Sequence, residues 1–135
     1  MKEIVIAGGK GRLRFYGSRF HLAWTPGSHI DAGDAAASIE AMQALGGGRA
    51  LPLLVTIAGV TMGAGARGAY ERAEAVSAVA LLGSSVVDTV VAAALGRHGF
   101  CPHAYFTSRK EALAWLEGFP LPAVSAEQEP GLRNA

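Results

Sequence analysis

The sequence predicts an α/β sandwich. A β-hairpin opens it, and helices then alternate with strands to build a mixed, mainly parallel sheet of about five strands with helices packed on it. Three patterns carry this expectation. Residues 12–24 alternate apolar and polar with period two. Two short continuous apolar runs, 51–58 and 76–83, suit strands covered on both faces. Helical spacing follows the hairpin and each of these runs.

In the hairpin, Leu13 and Phe15 alternate with Arg12, Arg14 and Tyr16, and Phe20, Leu22 and Trp24 alternate with Arg19, His21 and Ala23. Gly17-Ser18 fits a two-residue turn whose first position tolerates positive φ. Pro26-Gly27 stops the second strand. Asp31 is placed to cap a helix, with Asp34 near the positive end of its dipole. Ala35, Ile39, Met42 and Leu45 follow at helical spacing, and Gly46-Gly47-Gly48 ends the helix. Ala66, Ala69, Tyr70 and Ala73 mark a short second helix. A third runs from Ser84 or Ser85 to about His98, with Val87, Val90, Val91, Ala94 and Leu95 on one face. Ala104 to Phe106 makes a short last strand. Ser108-Arg109-Lys110-Glu111 has capping-box spacing and opens a helix with Leu113 and Leu116 inward and Trp115 flanking. Residues 1–119 thus read as one domain, and residues 120–135 as a flexible tail containing Pro and Glu.

Bulk composition narrows the function classes. At 135 residues the chain has the length of a single domain, and with 50% hydrophobic residues it can bury a core. A formal net charge of +1 creates no global field for nucleic acid or acidic membranes. The lone Cys101 excludes an internal disulfide and suits a reducing, cytoplasmic location. Ile4 to Ala7 is too short for a signal-peptide core. Residues 76–95 have about the length of a membrane span, but Gly83-Ser84-Ser85 breaks them into two buried elements.

Gly63-x-Gly65-x-x-Gly68 has the spacing of a dinucleotide fingerprint. That fingerprint needs its first Gly directly after a strand and an acid at the end of the next strand. Here the apolar run ends near Ala58, and Ala80-Leu81-Leu82-Gly83-Ser84-Ser85 carries no acid. The segment reads as a loop and first helical turn kept small for close backbone packing. At Gly83, Ser84, Ser85 and Asp88 a strand end runs into a helix start, where free N–H groups and hydroxyls gather at the carboxyl edge of the sheet. That edge suits a small ligand, an anion or an acyl, lipid-like group; ordinary helix capping by Ser84 or Ser85 explains the same residues.

His98, Cys101 and His103 bring three zinc-type ligands into a short stretch, but structural zinc uses four at recognised spacings. A helix end and loop account for them. Arg12, Arg14, Arg19 and His21 share the polar face of the hairpin with Tyr16. A basic strand face with an aromatic can meet nucleic acid, yet the charges are few, and a solvated sheet edge protected by charge explains them. No G-x-S-x-G elbow occurs, Cys101 lacks a catalytic signature, and capping accounts for Asp31 and Asp34. Neither a catalytic centre nor a cofactor is implied.

Order and landmarks together resemble the STAS domains, named for sulfate transporters and anti-sigma-factor antagonists, and in particular uncharacterised bacterial STAS-like proteins. The residues that carry the resemblance are Trp24-Thr25-Pro26-Gly27 with Ile30, then Ala80 to Ser85 with Val87-Asp88. Phe106-Thr107-Ser108 running into Glu111 to Leu116 completes them. In the antagonists, a strand carries D-L-S-x-V and leads to D-S-S-G, where a partner kinase phosphorylates a serine. Here Thr56-Ile57-Ala58-Gly59-Val60 stands in the strand, and D-S-S-G falls on Ala64-Gly65-Ala66-Arg67. The resemblance therefore implies the fold without its phosphoacceptor.

The expected function is a non-catalytic interaction or regulatory domain that docks a protein partner or self-associates as a homodimer. Met62, Arg67 and Tyr70 are the candidate contacts, Arg and Tyr being enriched among interface anchors. The alternative, a small ligand at the Gly83-Ser84-Ser85 edge, predicts unpaired backbone N–H groups there.

Overall fold

The computed structural model describes residues 1–84 and 101–119. In chain order they form β1 (Lys2–Ile6), a 3-10 turn (Ala7–Gly9), β2 (Gly11–Phe15), β3 (Phe20–Trp24), β4 (His29–Ile30) and α1 (Ala32–Gly46). Then come β5 (Leu51–Thr56), β6 (Thr61–Met62), α2 (Ala64–Glu71), β7 (Val76–Leu82), β8 (His103–Phe106) and α3 (Arg109–Glu117). The expected helix after Ser84 and the expected tail lie outside the described residues.

Six strands make one sheet in the order β1-β2-β3-β5-β7-β8. The β1–β2 and β2–β3 pairs are antiparallel; β3–β5, β5–β7 and β7–β8 are parallel. The expected hairpin is present. Its Gly17-Ser18 turn is closed by the Tyr16 N–H donating to the Arg19 carbonyl at 3.0 Å, with Gly17 at φ +86°. The strand count is corrected from five to six by β1, whose Glu3 faces Arg14 across the ladder. The correction moves the hairpin from the edge of the sheet to its interior. A second, two-stranded parallel pair, β4 with β6, was also not anticipated.

The period-two alternation splits the sheet into two faces. Leu13, Phe20, Leu22, Trp24, Leu53 and Val55 point to the face covered by α1 and α2. Leu54, Ala78, Ala80 and Leu82 point to the other, where Ala112 and Leu116 of α3 bury them. Full burial of side chains such as Phe20 and Leu22 contributes about 1.5–3 kcal/mol each.

Helix α1 starts at a capping box: the Asp34 N–H donates to Asp31 Oδ1 at 2.8 Å, and the Asp31 N–H donates to Asp34 Oδ2 at 3.0 Å. Gly47 ends it in the left-handed region at φ +63°. Ser108 Oγ caps α3 by accepting from the Glu111 N–H at 3.3 Å, and Trp115 flanks it by packing on Phe106 and Phe119. No helix among the described residues is long and apolar enough to cross a membrane.

Candidate functional site

A cavity of about 40 Å³ lies between the sheet and the α1–α2 layer. Leu22 and Trp24 of β3, Leu53 and Val55 of β5, Met42 of α1 and Tyr70 of α2 line it. These walls are apolar because each strand contributes only its alternate residues, all from the α1–α2 face. One buried polar atom on these walls is unmet. Trp24 is 2% exposed, and its Nε1–H has no acceptor among the described residues. Leaving a buried donor unmet costs about 1–3 kcal/mol.

The glycine-rich segment supports one flank of this cavity. Gly63 precedes α2 with ordinary extended φ, and its N–H is used by the Ile30 carbonyl at 3.0 Å. A Cβ on Gly65 would stand 3.0 Å from Ala32 Cβ, so this glycine lets α2 approach the start of α1. At Gly65 the glycine therefore serves close packing. The three candidate contacts are brought together here. Met62 lines the cavity, the Arg67 guanidinium donates to the Met62 carbonyl at 3.0 Å, and Tyr70 turns its hydroxyl inward to Ser38 Oγ at 2.6 Å. Burial drives the Tyr70 phenol well above its ordinary range, opposed by the Ser38 hydrogen bond.

At the carboxyl edge of the sheet, the Gly83 N–H donates to the Phe106 carbonyl at 3.0 Å, continuing the β7–β8 ladder. Ser84 is also engaged. Ser85, Asp88 and His98 lie outside the described residues. Cys101 and His103 line the cavity, but His103 Nδ1 meets the Cys101 backbone oxygen at 2.7 Å, and burial raises the thiol pKa. A thiol shifted that way is a weaker nucleophile at neutral pH. Among the described residues, no group of three His, Cys, Asp or Glu side chains is placed to hold a metal.

The opposite face carries the basic residues of the hairpin. Arg19 Nε–H donates to His21 Nε2 at 2.8 Å, and the Arg19 guanidinium carbon sits 5.4 Å from the centre of the Tyr16 ring. Burial, then Arg19, Arg109 and Arg14, push the His21 pKa down to about 4. Because β1 occupies the edge, protection of an exposed strand does not explain these charges on β2 and β3.

A sequence-family profile described as "Domain of unknown function (DUF7793)" matches residues 20–120. The chain belongs to this family. The DUF7793 span begins at β3 and includes β5, β7, β8 and α3, so both the cavity and the Gly-rich loop fall inside it. Among solved structures, the DUF7793 chain is similar to an uncharacterized protein of the DUF3478 family with a SpoIIAA-like fold, from Shewanella loihica PV-4. The TM-score is 0.56 at 16% identity, covering 86% of this chain and 96% of the other. The fold is thus SpoIIAA-like, as the STAS resemblance implied. No curated protein matches the sequence.

Sequence reasoning on the DUF7793 chain missed the cavity. Its lining comes from residues that all read as core, and a void between core side chains leaves no mark on periodicity. The one available signal was Trp24, whose indole N–H needs an acceptor when the ring is turned inward.

Proposed function

We propose that this DUF7793 chain is a non-catalytic, ligand-responsive interaction module. It takes a compact apolar molecule with one hydrogen-bond acceptor into the cavity and reports occupancy through α2. The observation that carries the reading is the buried Trp24 Nε1–H, without an acceptor among the described residues, on a side chain that lines a mostly apolar cavity. A ligand carbonyl or ether oxygen removes that penalty, while the apolar walls bind the rest of the molecule.

Size sets the ligand class. A water takes roughly 10–15 Å³ by this measure, so about 40 Å³ accepts only a small body. Entry presses on Met62 and Tyr70, and Arg67 is tied to the Met62 carbonyl. Occupancy therefore alters the surface that Met62, Arg67 and Tyr70 were expected to offer a protein partner or a second copy. The engaged Gly83 N–H favours the cavity over the Gly83-Ser84-Ser85 edge as the ligand position.

The test is a thermal-shift series with cyclopentanone and cyclopentane. The ketone raises Tm with concentration and does so more than the hydrocarbon; Trp24→Phe removes the difference. No ketone-dependent rise, far above a plausible Kd, sinks the reading. Sedimentation equilibrium over a wide concentration range tests self-association, and a monomer throughout removes the homodimer.

A further inference from the structure

The geometry points to an oxyanion-binding pocket on the α3 side of the sheet, formed by Arg12, Arg14, His21, Thr56 and Arg109, which takes a phosphate or the phosphate head of a small phosphorylated molecule. It lies on the opposite face from the apolar cavity and stands independently of the function proposed above.

Four elements converge there. Arg12 and Arg14 come from β2, His21 and Ala23 from β3, Leu54 and Thr56 from β5, and Arg109 from the first turn of α3; together they line a pocket of about 30 Å³. The arrangement follows from the topology. Helix α3 lies over β5, β7 and β8. Its N-terminal residue thus stands beside the basic stripe of β2 and β3.

Charge is unbalanced at this place. Glu3 bridges Arg12 at 3.1 Å and Arg14 at 3.3 Å from the β1 side. Among the described residues, Arg109 has no ion pair. Three guanidinium groups against one carboxylate leave two positive charges facing the pocket, which matches a dianion. The excess is local, since the whole chain carries a formal charge of only +1. Guanidinium groups recognise phosphate through paired, charge-assisted N–H donors.

His21 lines the pocket as a neutral imidazole. Its Nε2 accepts from Arg19, so the ring proton sits on Nδ1. By volume the pocket admits an oxyanion head, since about 30 Å³ corresponds to roughly two or three water sites.

The experiment is an NMR titration of the intact chain with inorganic phosphate and with phenyl phosphate at low ionic strength. Sodium chloride at matched ionic strength is the control. The expected result is saturable binding, with shifts at the Arg14 and Arg109 Nε–H and the His21 ring. Binding weakens about tenfold in Arg109→Gln and in Arg14→Gln, each through loss of one charge-assisted contact. Arg109→Gln alters an exposed residue with no ion pair, so it leaves the fold intact even where Arg14→Gln disturbs the Glu3 bridge. Equal binding of both probes assigns the pocket to a phosphorylated small molecule. Binding of inorganic phosphate alone assigns it to the free ion. Shifts no larger than those from chloride, or wild-type affinity in both variants, overturn the assignment.

Discussion

The Tyr70 hydroxyl lies 2.6 Å from Ser38 Oγ and donates to it, because the single Ser38 proton already goes to the Ala35 carbonyl at 2.8 Å. This relay joins α2 to α1 at the wall of the apolar cavity. Phenolate at this position would be buried beside the Asp34 charge, so the fold holds Tyr70 neutral.

Tyr70→Phe is therefore expected to lower stability by about 1 kcal/mol, the net worth of one buried hydrogen bond. Urea denaturation of Tyr70→Phe, Ser38→Ala and the double variant measures it, and the two single effects are not additive. The sign of the pH effect follows from the raised pKa. Stability from the neutral phenol is full below the ordinary value of 10.0 and is lost as pH rises beyond it toward the folded-state pKa. Tyr70→Phe removes that alkaline slope.

Gly11→Ala is expected to disturb Trp24 directly. A Cβ on Gly11 would stand 2.8 Å from Trp24 Cζ3 and 2.9 Å from Cε3, closer than side chains tolerate. The Trp24 ring borders the cavity, which offers it some room to shift. Overpacking of this kind costs about 1–3 kcal/mol. Thermal unfolding reads the loss, and a changed emission maximum reports the moved indole. An unchanged Tm and spectrum would show that the cavity absorbs the ring without cost.

The alternating hairpin, the Asp31 cap and the two apolar runs were legible because each is a local pattern fixed by side-chain direction or backbone chemistry. Strand β1 was not. Lys2–Ile6 is short, and its strand character comes from pairing with residues 11–15. Glu3 has no meaning as a partner for Arg12 and Arg14 until that pairing exists. For the same reason the basic residues of the hairpin were legible as a face but not as a pocket. Arg109 reaches them only through the path of the chain from β8 into α3. At Gly65 the glycine-rich loop does serve packing, although the residue that demands it, Ala32, is separated from Gly65 by a helix and two strands.

Asp31→Ala is expected to cost about 1 kcal/mol, since it removes the acceptor for the Asp34 N–H at the start of α1. Asp34 adds an acid dependence. Burial opposes its charge, but Lys10 Nζ at 2.6 Å and the Asp31 N–H outweigh burial and hold its pKa below the ordinary 3.8. A depressed carboxylate stabilises the fold above its unfolded pKa and ceases to do so as pH falls through the folded value. Acid titration followed by circular dichroism should show the α1 signal failing at higher pH in Lys10→Met than in the wild type. Coincident acid transitions would mean that Lys10 leaves the Asp34 carboxylate unaffected.

His21 gives the sharpest pH test. Burial, followed by Arg19, Arg109 and Arg14 in that order, brings its pKa from 6.5 down to about 4. The groups around it are Arg14 on β2, Leu54 on β5, Arg109 on α3 and, beside the imidazole, Arg19 and the Tyr16 ring. The Coulombic contributions come from cations, so each one removed makes protonation easier. Arg109→Gln is expected to move the titration of the His21 Cε1–H upward, and saturating phosphate should do the same in the wild type. The folded chain binds fewer protons than the unfolded chain between the two pKa values. Stability from neutral His21 is thus complete above pH 6.5 and is lost as pH falls toward about 4. A His21 midpoint near 6.5 in the wild type, or one that Arg109→Gln leaves unmoved, would show that the guanidinium groups do not crowd this imidazole.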